Sequence, residues 1–172
     1  MGETRFNTRV LAEVSVLVAL SLVLNFIKVY QLPQGGSITL ASMVPVLLIS
    51  FRRGPKVGVF SGVVFGMAQM LLDGWFYSPV GMILDYPLAF GALGLAGIFR
   101  KTPLIGVVVS LATRFLSHFI SGVVFFGMYA PEGMSPLIYS AVYNGSYMLP
   151  EMVISGIFIY LLIQRDILNL SL

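Results

Sequence analysis

The chain of 172 residues has no cysteine, one histidine and little charge. Without cysteine it can form no disulfide, no thiolate metal site and no cysteine nucleophile. Charged residues make up 10% of the chain, whereas a soluble domain carries about 25%, because its surface faces water. No GxxxxGK[ST] phosphate loop, HExxH zinc motif or GxSxG nucleophile motif occurs. The sequence therefore predicts neither an enzyme nor a cofactor, and excludes a chain that uses ATP through a phosphate loop.

The chain consists largely of long apolar runs, and hydrophobic residues make up 58% of it. Several runs approach about twenty residues, the length at which a helix crosses roughly 30 Å of hydrocarbon. Glycine and proline separate them, as turns between helices require. We predict an all-α integral membrane protein, a single domain over residues 1–172 with the bilayer as its surroundings. The predicted spans are 8–30, 37–51, 55–73, 78–99, 103–128 and 136–164.

Basic residues alternate with the spans in a way that predicts orientation. They precede the first span and follow the second, fourth and sixth: Arg5, Arg9, Arg52, Arg53, Lys56, Arg100, Lys101 and Arg165. The opposite loops contain Asp73 and Glu132, with Lys28 as the only basic residue nearby. By the positive-inside rule, six crossings place both termini in the cytoplasm of a multi-pass cell-membrane protein. The net charge of +3 thus reflects topology, and no nucleic-acid partner is expected.

Small residues recur at helical spacing on two predicted spans. In the third span, and just before it, every fourth residue is a glycine: Gly54, Gly58, Gly62 and Gly66. Such stripes let helix backbones approach closely, and here the pattern favours packing within the bundle over contact with another protein. Ser15 and Ala19 form a shorter small-xxx-small pair on the first span. The pattern alone leaves the role of that pair open.

A few polar side chains lie inside predicted spans: Asp85, Arg114, His118, Asn144 and Glu151. Ionisable groups in hydrocarbon are functional candidates because structure alone seldom repays their desolvation. Counting along the helices places Asp85 about 10 Å, and His118 about 15 Å, below the outer surface. Asn144 is predicted to lie at a depth similar to that of Asp85, and Arg114 one helical turn deeper than His118. Polar groups from three helices are therefore predicted to meet in the outer half of the membrane.

Aromatic residues occur at the same end of the predicted bundle: Trp75, Tyr77, Tyr86, Phe126, Tyr139, Tyr143 and Tyr147. An interfacial aromatic belt is the favoured interpretation for Trp75 and Tyr77. For Tyr86 and Tyr139, which neighbour Asp85 and Asn144, the wall of a pocket is an equal alternative.

Two interpretations of the polar cluster stay open on the residues alone. In the first, Asp85 forms a structural ion pair with Arg114 and His118. In the second, the cluster is a pocket that opens outward. Such a pocket offers a carboxylate, an imidazole, an amide and aromatic faces. These groups suit a small, planar, nitrogen-rich ligand, which can be a cation.

Four segments carry a resemblance to a known family: PQGGSITLASMVPVLLISFRRG, LDYPLAFGALGLAGIF, RFLSHFISGVVFF and YSAVYNGSYM. In order and spacing they resemble the thiamine-binding S-components of energy-coupling factor transporters, the ThiT or YuaJ family, over nearly the whole chain. The resemblance implies a compact bundle of six transmembrane helices with a substrate pocket near the outer face. It assigns substrate contacts to Asp85, Tyr86, His118, Tyr139, Asn144, Phe126, Trp75 and Arg114. Asp85 stands where the family more often carries glutamate, and Glu151 maps to no contact.

The resemblance also implies partners. Ser15 and Ala19 match the surface by which S-components dock onto a transmembrane coupling subunit, and two cytoplasmic ATPase subunits complete such a transporter. The expected function is high-affinity thiamine binding at the outer face, followed by delivery through this ATP-driven complex. Two alternatives remain. One is an S-component for another vitamin or precursor, such as hydroxymethyl-pyrimidine or riboflavin. The other is a non-transporting structural membrane subunit with a buried Asp85–Arg114 ion pair.

Overall fold

The computed structural model describes residues 7–169, and helices dominate this part of the chain. Arg5, one of the basic residues behind the predicted orientation, lies outside it. The helices are α1 (Thr8–Phe26), α2 (Val44–Arg53), α3 (Pro55–Asp73), α4 (Pro79–Phe99), α5 (Pro103–Phe125) and α6 (Pro136–Gln164). Within the described residues 5 of these, all except α2, are long and apolar enough to cross a membrane. The prediction of a helical membrane protein is confirmed, and the bounds predicted for the third span match α3.

The segment predicted as the second span folds differently. Strands β1 (Lys28–Gln31) and β2 (Ser37–Thr39) form an antiparallel hairpin between α1 and α2. Gln34 and Ala41 have left-handed backbone conformations, with φ of 59° and 60°, which a helix cannot continue through. Helix α2 therefore has only 10 residues, about 15 Å of helix, against roughly 30 Å of hydrocarbon. The first predicted span is too long for the same reason, since α1 ends before the hairpin.

Sequence chemistry explains where the other helices begin and end. Proline occupies the first turn of every helix after α1, a position where its missing N–H costs no hydrogen bond. Asn7 caps α1 by accepting from the Val10 N–H at 2.9 Å, and Ser135 caps α6. Helix α5 stops at Phe125, short of the predicted residue 128, and a single 3₁₀ turn (Gly127–Tyr129) follows.

Helices α3 and α4 pack backbone to backbone along the glycine stripe. A Cβ added at Gly62 would lie 2.1 Å from the Phe90 carbonyl oxygen, and one at Gly66 would lie 2.5 Å from that of Tyr86. A Cβ added at Gly58 would lie 2.2 Å from the Ser50 hydroxyl of α2 and 2.9 Å from the Gly94 Cα of α4. The prediction of packing within the bundle is confirmed for these positions. Gly54 differs, because it forms the turn before α3 with a φ of +90°.

Helix α2 is the most enclosed element, since every residue from Val44 to Phe51 is buried. At its C-terminal end Arg53 forms an ion pair with Glu13 of α1, with Nη2 and Oε2 2.5 Å apart, and Arg52 lies 3.2 Å from the other carboxylate oxygen. Arg100, which follows α4, donates to the Arg52 carbonyl at 2.9 Å. The start of α1 and the ends of α2 and α4 therefore meet at one end of the bundle. The polar cavity described next lies towards the other end.

Candidate ligand-binding site

One cavity brings together every residue predicted to contact substrate. It is lined by the hairpin and by α1, α3, α4, α5 and α6. The predicted residues among its lining are Trp75, Asp85, Tyr86, Arg114, His118, Phe126, Tyr139 and Asn144. Ser15 and Ala19 do not line it; they lie on an exposed face of α1, with the Ser15 hydroxyl bonded to the Leu11 carbonyl.

A local irregularity of α4 places Asp85 at the cavity. Residues Leu84–Leu88 form a π-helical turn around Pro87, which has no N–H to continue the helical ladder. Ser117 of α5 donates to the Leu84 carbonyl at 2.6 Å, which satisfies one backbone group near this turn. Such turns re-aim the side chains that follow them and are frequent at functional sites.

The Asp85 carboxylate is the centre of a hydrogen-bond cluster. His118 Nδ1 lies 2.8 Å from Asp85 Oδ1. Oδ2 accepts from the Ser121 hydroxyl at 2.7 Å and from the Tyr77 hydroxyl. Both carboxylate oxygens are therefore already paired with protein donors.

Arg114 fixes the protonation of His118. The Arg114 Nε–H donates to His118 Nε2 at 3.3 Å, so this ring nitrogen acts as an acceptor. The hydrogen on the ring must then be on Nδ1, which donates it to Asp85. The geometry thus defines a neutral imidazole between a guanidinium and a carboxylate.

Arg114 itself is 8% exposed and is held by apolar as well as polar neighbours. Its Nη1 contacts Met43 Sδ, and its guanidinium carbon lies 4.1 Å from the centre of the Phe90 ring. Within residues 7–169 it makes no ion pair with Asp85. The alternative of a direct Asp85–Arg114 ion pair is therefore wrong, because His118 lies between the two.

The sequence pattern favours an interfacial belt for Tyr77, whereas in the structure its hydroxyl donates to Asp85. Burial raises the pKa of the Tyr77 phenol, and the hydrogen bond to Asp85 raises it further. The phenol therefore remains a donor at neutral pH. Its ring centre lies 4.5 Å from that of Phe126, and the Phe126 ring centre lies 6.3 Å from that of Trp75. These rings form an aromatic wall beside the carboxylate.

One face of α6 presents tyrosines at every fourth residue. Tyr139 and Tyr143 are stacked with ring centres 5.9 Å apart, and Tyr147 follows edge-on at 6.0 Å. The Tyr147 hydroxyl donates to Asn144 Oδ1 at 2.8 Å. The Asn144 amide in turn donates to the His118 carbonyl at 3.3 Å, which joins α6 to α5 beside the cavity.

The hairpin closes one side of the cavity through contacts to distant residues. The Gly36 N–H donates to the Tyr143 hydroxyl at 3.0 Å, and that hydroxyl donates to the Pro33 carbonyl. Lys28 and Asp73 form an ion pair of 2.5 Å between β1 and the end of α3. The hairpin, whose two strands were partly predicted as ends of membrane spans, thus covers one side of the cavity.

Sequence reasoning missed several polar groups of the cavity. Gln69 donates to Asn25 Oδ1 at 3.2 Å, and both residues line the cavity. They lie in predicted spans, where any polar residue is a signal, and the same argument that selects Asn144 applies to both of them. Glu13 also lies in a predicted span, but it pairs with Arg52 and Arg53 at the opposite end of the bundle and does not line the cavity. No sequence signal separates Tyr77 from an interfacial tyrosine.

Membrane-length helices around a polar, aromatic-lined cavity define a helical membrane protein with an internal ligand-binding cavity as its candidate site. The comparison with known proteins specifies which one. Residues 11–169 match the model of the family described as "Thiamine transporter protein (Thia_YuaJ)", and the chain belongs to this family. The resemblance inferred from the sequence is confirmed.

Individual relatives agree with the family model. The chain is 37% identical over 171 residues to the thiamine transporter ThiT of Bacillus subtilis (strain 168), covering 88% of each chain. It is 30% identical over 133 residues to ThiT of Lacticaseibacillus paracasei, covering 66% of each. The solved structure of ThiT from Listeria monocytogenes superposes with a TM-score of 0.84 at 27% identity. That superposition covers 93% of this chain and 97% of the other.

Proposed function

We propose that this protein binds thiamine in the cavity and serves as the substrate-binding subunit of a thiamine importer. The observation that carries the proposal is the convergence of every predicted contact on one cavity, around a carboxylate flanked by aromatic rings. The relatives named as thiamine transporters support the choice of ligand.

The cavity chemistry suits both rings of thiamine. The thiazolium ring is a cation, and the faces of Trp75 and Phe126 attract cations. Asp85 supplies the nearby negative charge, and His118 frames the rings. The hydroxyls of Tyr86 and Tyr139 and the amide of Asn144 supply hydrogen bonds. Arg114 does not contact thiamine itself; it orients the His118 ring by donating a hydrogen bond to it.

The proposed topology has six passes with both termini in the cytoplasm and the cavity open to the outside. This topology is supported by the contacts at one end of the bundle, where Glu13 pairs with Arg52 and Arg100 bonds to the Arg52 carbonyl. Helix α1 starts at this end and α2 ends there, so the chain crosses away from it and back. In this arrangement the hairpin and α2 together make the second pass. The basic residues then lie on the cytoplasmic side.

ATP-driven transport requires partner subunits, because the chain contains no phosphate-loop motif for ATP. We assign delivery to an energy-coupling factor complex with one transmembrane coupling subunit and two cytoplasmic ATPases. The exposed small residues Ser15 and Ala19 on α1 are the proposed docking surface. Small side chains let another helix approach the backbone closely.

Titration of the detergent-purified protein with thiamine tests the binding proposal. Trp75 is the only tryptophan in the chain and lines the cavity, so quenching of its fluorescence reports on this site. We expect saturable quenching by thiamine and much weaker binding of riboflavin and of hydroxymethyl-pyrimidine, which lacks the thiazolium charge. Equal binding of thiamine and hydroxymethyl-pyrimidine would assign the site to the precursor, and no binding of any of them would refute a vitamin site.

A further inference from the structure

A groove separate from the ligand cavity runs along the lipid-facing surface of the bundle. Its volume is about 440 Å³, and among the described residues it shares no lining residue with the cavity. Helix α4 forms its floor, with Val59 and Val63 of α3 on one side and Leu116 and Ile120 of α5 on the other. Three of these four side chains are exposed on membrane-length helices, so the groove opens towards the lipid.

The groove is chemically suited to hydrocarbon. Gly91 and Ala92 leave space on α4 between the larger side chains of α3 and α5. The lining contains two hydroxyl groups, and both are already used: Thr113 donates to the Val109 carbonyl at 2.9 Å, and Ser117 donates to the Leu84 carbonyl at 2.6 Å. The groove therefore offers dispersion contacts to an apolar chain and no free hydrogen-bonding side chain.

The length of the groove matches one leaflet of a bilayer. From Leu84 to Leu95 it follows α4 for about 16 Å. The hydrocarbon core is roughly 30 Å thick, so one leaflet supplies about half of that distance. A single acyl chain can therefore lie in the groove along most of its length.

Two lysines stand at the end of the groove that Leu95 and Val59 line. Lys56 lies three residues before Val59, on the same face of α3, and Lys101 lies in the turn between α4 and α5. A Cβ added at Gly97 would lie 2.7 Å from the Pro55 nitrogen, so the end of α4 meets the start of α3 and brings both lysines to one end. Both lysines are exposed, and neither forms an ion pair within residues 7–169.

Charge distinguishes this end of the groove from the other. In the described loops at the cavity end, the basic side chain is Lys28, and it is paired with Asp73. At the lysine end, Glu13 is paired with the arginines of α2, and Asp166 follows α6, which does not line the groove. Unpaired positive charge is therefore concentrated at one end of an apolar groove.

We propose that this groove binds one acyl chain of an anionic phospholipid, whose phosphate is held by Lys56 and Lys101. Long lysine side chains place their ammonium groups at the membrane surface while the stems stay in hydrocarbon, and such groups attract anionic headgroups. The site goes beyond the proposed function and does not depend on which solute the cavity binds.

Native mass spectrometry of the purified, delipidated protein tests the proposal, with dioleoyl-phosphatidylglycerol and dioleoyl-phosphatidylcholine as probes. Wild-type protein should bind a single phosphatidylglycerol saturably and prefer it by at least about tenfold, because two lysines act on the anionic headgroup. Ala92→Phe places a ring in the groove and should abolish the saturable site. Lys56→Gln combined with Lys101→Gln should reduce phosphatidylglycerol binding to the level of phosphatidylcholine.

Each variant has a matched control. Val153→Phe adds the same ring to the exposed face of α6. Arg9→Gln combined with Arg165→Gln removes the same charge at exposed positions outside the groove. Both controls should bind phosphatidylglycerol as wild type does. Thermal unfolding shows which variants are folded, and the lysine variant, which changes only exposed side chains, decides the question if Ala92→Phe does not fold.

Three results would overturn the proposal. Equal, unsaturable binding of both lipids by wild-type protein would show ordinary surrounding lipid. Unchanged phosphatidylglycerol binding in the folded groove and lysine variants would show that the lipid binds elsewhere. Unchanged lipid binding in Ala92→Phe with loss of co-purification with the coupling subunit would assign the groove to a helix of that subunit instead.

Discussion

At the scale of single residues, the site depends on a chain of three side chains from α4 and α5. Arg114 donates to His118, and His118 donates to Asp85. Each member sets the state of the next, because the guanidinium makes Nε2 an acceptor and so leaves the hydrogen on Nδ1. A neutral histidine in this position keeps the negative charge of Asp85 available to a cationic ligand.

Asp85→Asn should weaken thiamine binding by at least about tenfold. It removes the negative charge, and it places an amide N–H₂ next to side chains that donate hydrogen bonds to the carboxylate. The titration by Trp75 fluorescence measures this. Asp85→Glu is the matched control, since it keeps the carboxylate on a longer arm and should retain more affinity. Unchanged binding in Asp85→Asn would contradict the role given to this carboxylate.

The tautomer of His118 can be observed directly. Since this is the only histidine in the chain, ¹⁵N-histidine labelling gives one pair of ring signals by NMR. We expect a neutral ring with the hydrogen on Nδ1 in wild-type protein. In Arg114→Met we expect a larger fraction of doubly protonated ring, because Asp85 still requires the hydrogen on Nδ1 while Nε2 no longer faces a donor. In wild-type protein, a doubly protonated ring at neutral pH, or hydrogen on Nε2, would show that the Arg114–His118 contact is misassigned.

At the scale of elements, the packing of α3 on α4 and the hairpin hold different parts of the cavity in place. The approach of α3 to α4 keeps the Asp85 region in place, and it depends on the absence of a side chain at Gly62. The hairpin is held by polar contacts of Lys28, Gly36 and Thr39, and by the packing of Leu32 and Ile38 against the core.

Gly62→Ala should destabilise the protein by about 1–3 kcal/mol, because the added methyl group forces apart two packed backbones. Thermal unfolding in detergent measures the effect. Gly145→Ala on α6 is the control, since nothing lies within 4 Å of a Cβ added there. Equal melting temperatures for the two variants would contradict the close packing of α3 on α4.

Lys28→Met should accelerate thiamine release by removing the Lys28–Asp73 ion pair that ties the hairpin to α3. Because an exposed ion pair contributes about 0–1 kcal/mol, the increase should not exceed about fivefold and should shrink at high salt. Stopped-flow recording of Trp75 fluorescence gives the rate. Lys56→Met, at the other end of α3, should leave it unchanged; an equal acceleration there would exclude a local effect.

At the scale of the whole molecule, the cavity and the proposed docking surface are separate. The cavity lies inside the bundle, whereas Ser15 and Ala19 face outward from α1. A change on the outer face should therefore affect assembly with the coupling subunit and leave the isolated subunit able to bind.

Ala19→Trp should abolish thiamine uptake by cells and co-purification with the coupling subunit, because a large side chain prevents close helix contact. Thiamine binding to the isolated variant should match wild type. Val153→Trp, on the exposed face of α6, is the control for adding a tryptophan at the lipid-facing surface. Normal uptake by Ala19→Trp would place the docking surface elsewhere.

The sequence by itself determined the membrane class and the bounds of α3. It could do so because hydrocarbon requires continuous apolar helices and each residue of a helix advances by a constant rise. Only the tertiary structure decided which polar groups meet. Thr39 and Glu151 are 112 residues apart in the chain, and Tyr77 turns inward instead of joining an aromatic belt. Such contacts depend on the rotation and packing of each helix and on the backbone of the hairpin, which hydropathy and spacing along one chain do not specify.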